Sequence, residues 1–316
     1  MNDPSLILTR QSQNLLDQFS KVVTIDTLCE ELFDSKKVTV SVLRLDKTDN
    51  ELQGNKFFKL MYFLEDALSS VHKKIITFGG PYSNHLSATA AACNLYNISS
   101  VGLVAGIEPK NLSSTLLNCR KNGMEIKFMS RERYKQKDSD EFKEALVHEF
   151  GPHTLVPEGG YGPQGVSGAE LIYNYFDTSS FSHICCPVGS GITIAGIINA
   201  VPLTSEVMGF YSFKNIAPTE EKIANMITLD SKVKYRLNGD FHFGGFAKRT
   251  DELTQFMNRF YISHQVPTDF IYTGKMMFGI YEMIKSNCFP PGSHILAIHT
   301  GGLQGNASLP INTLCF

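Results

Sequence analysis

Short apolar segments alternate with longer segments of helical periodicity along most of the chain, and this alternation constrains the fold more than any other feature. Strand-like runs lie at 37–46, 75–80, 101–106, 124–130, 153–160, 183–190, 206–213 and 294–302. Most segments between them are long enough for a helix, such as 87–96 and 192–201. Strand, helix and strand at this spacing predict an α/β protein whose open parallel sheet is covered by helices on both faces.

Four of the strand-like runs lead into glycine-rich loops, which read "FGGPYSNH", "PEGGYGPQG", "PVGSGIT" and "HTGGLQG". Ligands of open parallel sheets bind at the carboxyl ends of strands, where glycine lets the backbone approach a ligand. Any one of these loops is adequately explained as a tight turn. The four together predict one shared binding cleft.

Composition narrows the class of protein further. The chain has 316 residues, 42% of them hydrophobic, and a formal net charge of −2 without a basic stripe, which argues against nucleic-acid binding. No apolar run has the length of a membrane span, and "MNDPSLILTRQSQNLL" lacks the apolar core of a signal peptide. Seven scattered cysteines without a C-x-x-C pair predict reduced, mostly buried thiols, no metal site and a cytoplasmic location.

The loop "CPVGSGITIAGII" (186–198) has the pattern of a phosphate site. An apolar strand-like run ends, Gly189-Ser190-Gly191 follows, and a helix pattern begins near Thr193. Free backbone N–H groups and the positive helix end would then meet at one point, which suits a phosphate. The chain has no Walker motif and departs from G-x-G-x-x-G, so a nucleotide-binding regulatory module without catalysis is retained only as the non-enzyme alternative.

Four motifs together resemble one family, namely Gly54-Asn55-Lys56, Ser83-Asn84-His85, "GSGIT" and "YTGK" at 272–275. The chain resembles the pyridoxal 5′-phosphate (PLP) enzymes of the D-cysteine desulfhydrase and 1-aminocyclopropane-1-carboxylate deaminase family. The resemblance extends from about Leu43 to about Gly305. It implies the two-domain, open parallel-sheet fold of the tryptophan synthase β-subunit-like PLP enzymes (fold type II) and a homodimer. A larger domain would comprise 1–56 and 156–316, with a smaller domain inserted at 57–155.

The resemblance also implies roles for individual residues. Lys56 would hold PLP covalently, Asn84 would contact its phenolate oxygen, and Thr273 would lie at its pyridine nitrogen. Ser83 would face the substrate carboxylate, and Tyr272 would reach the substrate side of the ring. The phosphate would be bound by Ser190, Gly191, Ile192 and Thr193.

Physical reasoning supports Lys56 as the nucleophile. A nucleophilic lysine needs a lowered pKa, which an apolar environment provides, and Phe57, Phe58 and Leu60 flank this position. Lys59, one turn later, is the competing candidate and is expected to be a partly exposed helix lysine.

The other residues also have ordinary structural interpretations. Ser83 would cap the helix that begins near His85, Tyr272 would be a core tyrosine, and Thr273 would be a helix N-cap. His85 and His299 are expected to be structural histidines with satisfied hydrogen bonds. Met276 and Met277 are expected to fill the core.

Two positions bear on the reaction. Thr273 offers a hydroxyl where the family's deaminases carry glutamate, and a hydroxyl would leave the ring nitrogen largely neutral, which favours β-elimination. The predicted reaction is α,β-elimination on a small amino acid, most like D-cysteine desulfhydration to a 2-oxo acid, ammonia and sulfide, with Lys56 as general base. The cyclopropane-ring-opening deaminase is the alternative. Phe246 aligns with the family's second active-site tyrosine, and its missing hydroxyl weakens both activities.

Overall fold

Two sheets organise the chain in a computed structural model that describes residues 8–49, 51–52, 54–228 and 231–316. The strands of these residues are β1 (Ile25–Leu28), β2 (Thr39–Arg44), β3 (Lys74–Gly79), β4 (Ser99–Ala105), β5 (Glu125–Met129), β6 (Thr154–Val156), β7 (His183–Val188), β8 (Glu206–Tyr211), β9 (Lys234–Asn238) and β10 (His294–His299).

The α-helices of the same residues are α1 (Arg10–Val22), α2 (Glu31–Lys36), α3 (Asn55–Ser69), α4 (Asn84–Leu95), α5 (Ser114–Lys121), α6 (Arg131–Lys135), α7 (Asp140–Phe150), α8 (Pro163–Tyr175), α9 (Ile192–Ala200), α10 (Ala217–Ala224), α11 (Asp251–His264) and α12 (Thr273–Lys285). Short 3₁₀ helices lie at Leu45–Lys47, Glu158–Gly160 and Leu303–Ser308. The predicted alternation of strands and helices is therefore confirmed.

The larger sheet has the strand order β1-β2-β10-β7-β8-β9. All of its neighbours are parallel except β1 and β2, which pair antiparallel with Ile25 opposite Leu43. The central strand β10 pairs Ile295 with both Val40 and His183. Strand β7 is buried along its whole length, as expected for a parallel strand covered by helices on both faces.

The smaller sheet has the order β5-β4-β3-β6, and all of its neighbours are parallel. Its strands run from Lys74 to Val156, one residue past the boundary expected for the inserted domain. The division of the chain into two domains at 56/57 and 155/156 stays a prediction.

The two strands at the ends of the larger sheet, β1 and β9, were not expected. Only one of the four residues of β1 is buried, and none of the five residues of β9 is fully buried. Both strands therefore lack the apolar run from which a buried strand is predicted, and neighbouring strands fix them instead.

Helix α3 begins the segment that joins the two sheets. Phe57 and Phe58 are fully buried in its first turn, and the ring of Phe19 on α1 packs against both at centroid distances of 5.1 and 6.4 Å. Burying side chains of this size fixes the rotation of the helix, because each contributes roughly 1.5–3 kcal/mol when removed from water. That rotation determines where Lys56 points. No helix of the described residues is long and apolar enough to cross a membrane.

Candidate active site

The four glycine-rich loops meet at the carboxyl ends of their strands. A Cβ built on Gly159 would lie 3.2 Å from the side chain of Ser190, and one built on Gly302 would lie 2.7 Å from Asn84 Nδ2. Asn55 joins the two pairs, since its backbone N–H donates to the Thr300 carbonyl oxygen at 3.2 Å and its Nδ2 donates to Thr193 Oγ1 at 2.6 Å. The four loops therefore come together as predicted, and their use as one binding cleft stays a prediction.

Lys56 lies in the first turn of α3 because the chain turns sharply just before it. Gly54 has φ +73°, and a Cβ there would lie 1.9 Å from the Thr300 carbonyl oxygen, so only glycine fits. The Gly54 N–H donates to the carbonyl oxygen of Leu45 at 3.0 Å. The nucleophile candidate is therefore anchored to the segments that follow β2 and β10.

The amine of Lys56 is enclosed, and burial lowers its pKa to about 8, although the nearby Asp269 and Cys186 act in the opposite direction. Its Nζ donates to Asn55 Oδ1 at 2.6 Å. An amine with this pKa is partly neutral near physiological pH, which a nucleophile or general base requires.

The expectation that Lys59 is a partly exposed helix lysine is wrong. It is 2% exposed, and its Nζ donates to Ser190 Oγ at 3.3 Å. Burial first, and then the neighbouring Lys56, hold the pKa of Lys59 well below its usual value. The helical spacing correctly put the two lysines on one side of α3, but the sequence did not show that α3 is covered there by the loop after β7.

The N-terminus of α9 has the geometry expected of an anion site. Gly191 is its N-cap at φ +84°, and no side chain of the described residues caps the helix there. Ile192 and Thr193 form the first turn, and Ser190 lies beside Lys59. Backbone N–H groups without side-chain partners and a nearby amine suit a phosphate.

The N-terminus of α4 brings Ser83 and Asn84 to the cleft. Ser83 is the N-cap and accepts a hydrogen bond from the Leu86 N–H at 3.2 Å, so its capping role is confirmed. Asn84 Oδ1 is buried and finds no partner in the described part of the chain. A buried amide of this kind is available to a ligand.

His85 behaves in part as expected. Its Nε2 hydrogen-bonds Thr77 Oγ1 at 2.8 Å, whereas its Nδ1 is buried and has no partner among the described residues. Burial, followed by Lys59 and Lys56, lowers its pKa well below the usual value. A neutral ring in this position fits a structural histidine better than an acid.

The N-terminus of α12 carries a residue that sequence reasoning missed, Asp269. Its Oδ1 accepts from the N–H groups of Ile271 and Tyr272 at 2.9 and 2.7 Å. Its Oδ2 accepts from the N–H of Thr273 at 2.9 Å and from the Thr273 hydroxyl at 2.6 Å. The expectation that Thr273 is the N-cap of α12 is wrong. Thr273 is the first residue of the helix, and Tyr272 is the N-cap. An aspartate four residues before a helical pattern is a capping signal that could have indicated this contact.

Tyr272 lies between the N-terminus of α12 and the loop 189–191 that precedes α9. The space beside Gly189 is filled by the Tyr272 ring, which would be 3.0 Å from a Cβ there. Burial raises the pKa of Tyr272, so it stays protonated. Phe246 is 56% exposed, and its ring lies edge-on to Tyr272 with centroids 6.0 Å apart. The structure therefore brings Phe246 to the same cleft.

Two further expectations about this region are confirmed. Met276 and Met277 are 1% exposed and belong to the core. His299 is buried with both nitrogens occupied, Nε2 by the Pro267 carbonyl oxygen at 2.7 Å and Nδ1 by the Gly301 N–H at 3.2 Å.

Comparisons with known proteins agree with this geometry. No family model matches the chain. A mitochondrial bifunctional D-cysteine desulfhydrase/1-aminocyclopropane-1-carboxylate deaminase from Arabidopsis thaliana is 31% identical over 294 residues, covering 84% of this chain and 72% of that protein. A putative 1-aminocyclopropane-1-carboxylate deaminase from Thermotoga maritima is 30% identical over 283 residues, covering 84% and 89%. The crystal structure of an ACC deaminase homologue superposes with a TM-score of 0.74 at 24% identity, covering 95% of this chain and 97% of that one.

The fold defines the class as the tryptophan synthase β-subunit-like PLP enzymes, fold type II. Within that class, the identity and coverage show that the chain belongs to the D-cysteine desulfhydrase and 1-aminocyclopropane-1-carboxylate deaminase family. It is a PLP-dependent enzyme. The residues present fit the cofactor, since the cleft combines the enclosed amine of Lys56, the unpartnered Asn84 Oδ1 and the helix N-terminus at Gly191.

Proposed function

We propose that the chain catalyses α,β-elimination on a small amino acid, with D-cysteine as the preferred substrate class and a 2-oxo acid, ammonia and sulfide as products. The observation that carries the proposal is Thr273, a fully buried hydroxyl at the start of α12 in the position where the family's deaminases carry glutamate. A weaker interaction at the ring nitrogen favours substrates whose β-group leaves readily. PLP, when bound, supplies an electron sink for the bond that breaks.

Lys56 is the residue proposed to hold the cofactor and to move the substrate proton. Its pKa of about 8 leaves a useful neutral fraction, so the freed amine accepts a proton from the substrate Cα as general base. Asn55 Oδ1, at 2.6 Å from Nζ, orients the amine. The short link from Asn55 to Thr193 then places the proton acceptor at a fixed distance from the phosphate loop.

Binding is proposed to divide between three helix N-termini. Ser190, Gly191, Ile192 and Thr193 at α9 would bind the phosphate, and Asn84 at α4 would bind the phenolate oxygen of the cofactor. Ser83 at α4 would bind the substrate carboxylate, because its hydroxyl oxygen caps the helix while its hydrogen has no acceptor among the described residues. Thr273 at α12 would lie at the ring nitrogen.

The substrate side of the cleft is proposed to be formed by Tyr272 and Phe246. Tyr272 carries a protonated hydroxyl, and Phe246 presents an apolar edge beside it. This pair would offer the substrate one hydroxyl rather than two. It suits a compact leaving group such as thiolate.

Ring opening of 1-aminocyclopropane-1-carboxylate is the second candidate, because relatives such as the Thermotoga maritima protein carry that name. That reaction requires attack on, or proton transfer to, a ring carbon. Phe246 lacks the hydroxyl that the family's second tyrosine would provide. Phe246 therefore counts against ring opening, as Thr273 does.

A substrate panel tests the proposal. Purified holoenzyme would be assayed for 2-oxo acid and sulfide with D-cysteine, L-cysteine, β-chloro-D-alanine and 1-aminocyclopropane-1-carboxylate. We expect the D-amino acids to react and Lys56→Ala to lower turnover by about 10³-fold or more. Borohydride reduction followed by peptide mapping should label Lys56.

Label on Lys59 or Lys275 would assign the cofactor to another lysine. Lys275 is the sharper comparison, since burial also lowers its pKa to about 8, but its Nζ already donates to the carbonyl oxygens of Ser212, His242 and Gly245. Ring opening without elimination from D-cysteine or β-chloro-D-alanine would favour the second candidate. The predicted cytoplasmic homodimer would be checked by light scattering and fractionation.

A further inference from the structure

Asp269 lies inside the protein with both carboxyl oxygens engaged. The residue is fully buried, and each of its two oxygens accepts two hydrogen bonds, which is the pattern of an acceptor-only carboxylate. The positive end of α12 stabilises negative charge at the same point. The hydroxyl of Thr273 is therefore bonded to an anion.

That contact leaves Thr273 little freedom. Its Oγ1 gives its single hydrogen to Asp269 Oδ2 at 2.6 Å and accepts from the Asp269 N–H at 2.8 Å. A hydroxyl has one hydrogen and two lone pairs, so one lone pair remains. A hydrogen bond to a carboxylate is roughly twice as strong as one between neutral groups, so a neutral pyridine nitrogen would not recover the hydrogen.

We propose that Asp269 is a positioning residue that fixes Thr273 as a hydrogen-bond acceptor and thereby holds the pyridine nitrogen of PLP in its protonated form. The inference rests on the proposed function, which places that nitrogen opposite Thr273. It replaces the neutral ring expected when Thr273 is considered alone. The proton comes from solvent when the cofactor binds.

Gly302 shows that Asp269 and the proposed phenolate ligand border one small space. A Cβ built on Gly302 would lie 2.7 Å from Asn84 Nδ2 and 3.7 Å from Asp269 Oδ2. The Asn84 side chain would contact one edge of the pyridine ring of PLP, and the Thr273–Asp269 pair would contact another edge. The carboxylate acts through a hydroxyl, so the ring is polarised less strongly than by a directly bonded glutamate, and elimination of a good leaving group remains the favoured outcome.

The test measures the ring nitrogen itself. Holoenzyme would be reconstituted with PLP labelled with ¹⁵N in the ring, and its ¹⁵N chemical shift recorded near neutral pH without substrate. We expect the shift of a protonated pyridine in the wild type. We expect the shift of an unprotonated pyridine in Asp269→Asn, because the new amide can donate to Thr273 Oγ1 and release the hydroxyl hydrogen toward the ring. Thr273→Val, which lacks the acceptor, should give the same result.

Asp177→Asn is the matched control, since Asp177 is an exposed carboxylate that accepts only from the neighbouring Ser179 among the described residues. It should leave the wild-type shift unchanged. A neutral-pyridine shift in the wild type overturns the inference even if no variant folds. A protonated shift retained in either folded variant overturns it as well. Wild-type protein that takes up no PLP contradicts the proposed function instead.

Discussion

The N-termini of α9 and α12 lie against each other in the cleft, yet they satisfy their backbone N–H groups in opposite ways. At α9 the N-cap is Gly191, and no side chain of the described residues caps the backbone N–H groups of the first turn. At α12 the carboxylate of Asp269 accepts from the N–H groups of Ile271, Tyr272 and Thr273. The first terminus is open to an external anion, whereas the second is closed by an anion of the chain itself.

The difference shows how one physical feature serves two purposes. A helix N-terminus presents positive charge and unpaired donors wherever it occurs. Left open beside Lys59, the terminus of α9 is the proposed phosphate site. At α12 the terminus is closed by the carboxylate of Asp269, which accepts the hydrogen bond from the Thr273 hydroxyl. The same carboxylate raises the pKa of Lys56, against the effect of burial.

The largest effect on PLP binding is expected when the open N-terminus of α9 is obstructed. Gly191→Ala would place a Cβ 2.5 Å from Ile223 Cγ1 at a φ of +84°, so the first turn of α9 must shift. We expect the dissociation constant for PLP to rise roughly 100-fold, about 2.8 kcal/mol. Titration of the apo-protein by absorbance measures it.

Gly123→Ala is the matched control, because Gly123 has a similar φ of +80° and a Cβ there meets nothing within 4 Å. Both variants should lose about 1 kcal/mol of folding free energy from the left-handed backbone. Only Gly191→Ala should lose affinity for PLP. Equal affinity in the two variants would mean that the α9 terminus does not bind the phosphate.

A smaller effect is expected from the amine beside the open terminus. Burial holds the pKa of Lys59 well below its usual value, and a bound phosphate would favour the charged form of this amine. Lys59→Met should raise the dissociation constant for PLP about tenfold, near 1.4 kcal/mol, and leave that for pyridoxal, which lacks the phosphate, unchanged.

Lys275→Met removes a second buried amine and provides the comparison, since Lys275 contacts carbonyl oxygens rather than the α9 loop. It should not alter the preference for PLP over pyridoxal. If Lys59→Met weakened both ligands equally, Lys59 would be a packing residue.

The smallest effect concerns pH and the closed terminus. Burial lowers the pKa of Lys56 to about 8, and only the neutral amine attacks the aldehyde of PLP, so incorporation should slow about fivefold from pH 8 to pH 7. Asp269 favours the charged amine, so Asp269→Asn should move the midpoint to lower pH. Stopped-flow absorbance of the apo-protein records the profile, and an unchanged midpoint would show that Asp269 does not act on Lys56.

Secondary-structure elements with a local sequence pattern, such as a continuous apolar run, could be predicted without the structure. Buried parallel strands require continuous apolar runs, so β7 and β10 could be recognised, whereas the poorly buried β1 and β9 could not. The four motifs also indicated the family, which the relatives from Arabidopsis thaliana and Thermotoga maritima confirm. Lys56, Asn84 and the α9 loop followed from the same motifs.

Tertiary structure alone decided the environments of the charged groups. Lys59 is surrounded by segments distant in sequence, so its burial and its contact with Ser190 have no local signal. The sequence placed Thr273 but did not identify the anion to which it is bonded, Asp269, four residues earlier. Burial and hydrogen bonding set which form of an ionisable group is stable, and both depend on packing between elements rather than on the residues beside it.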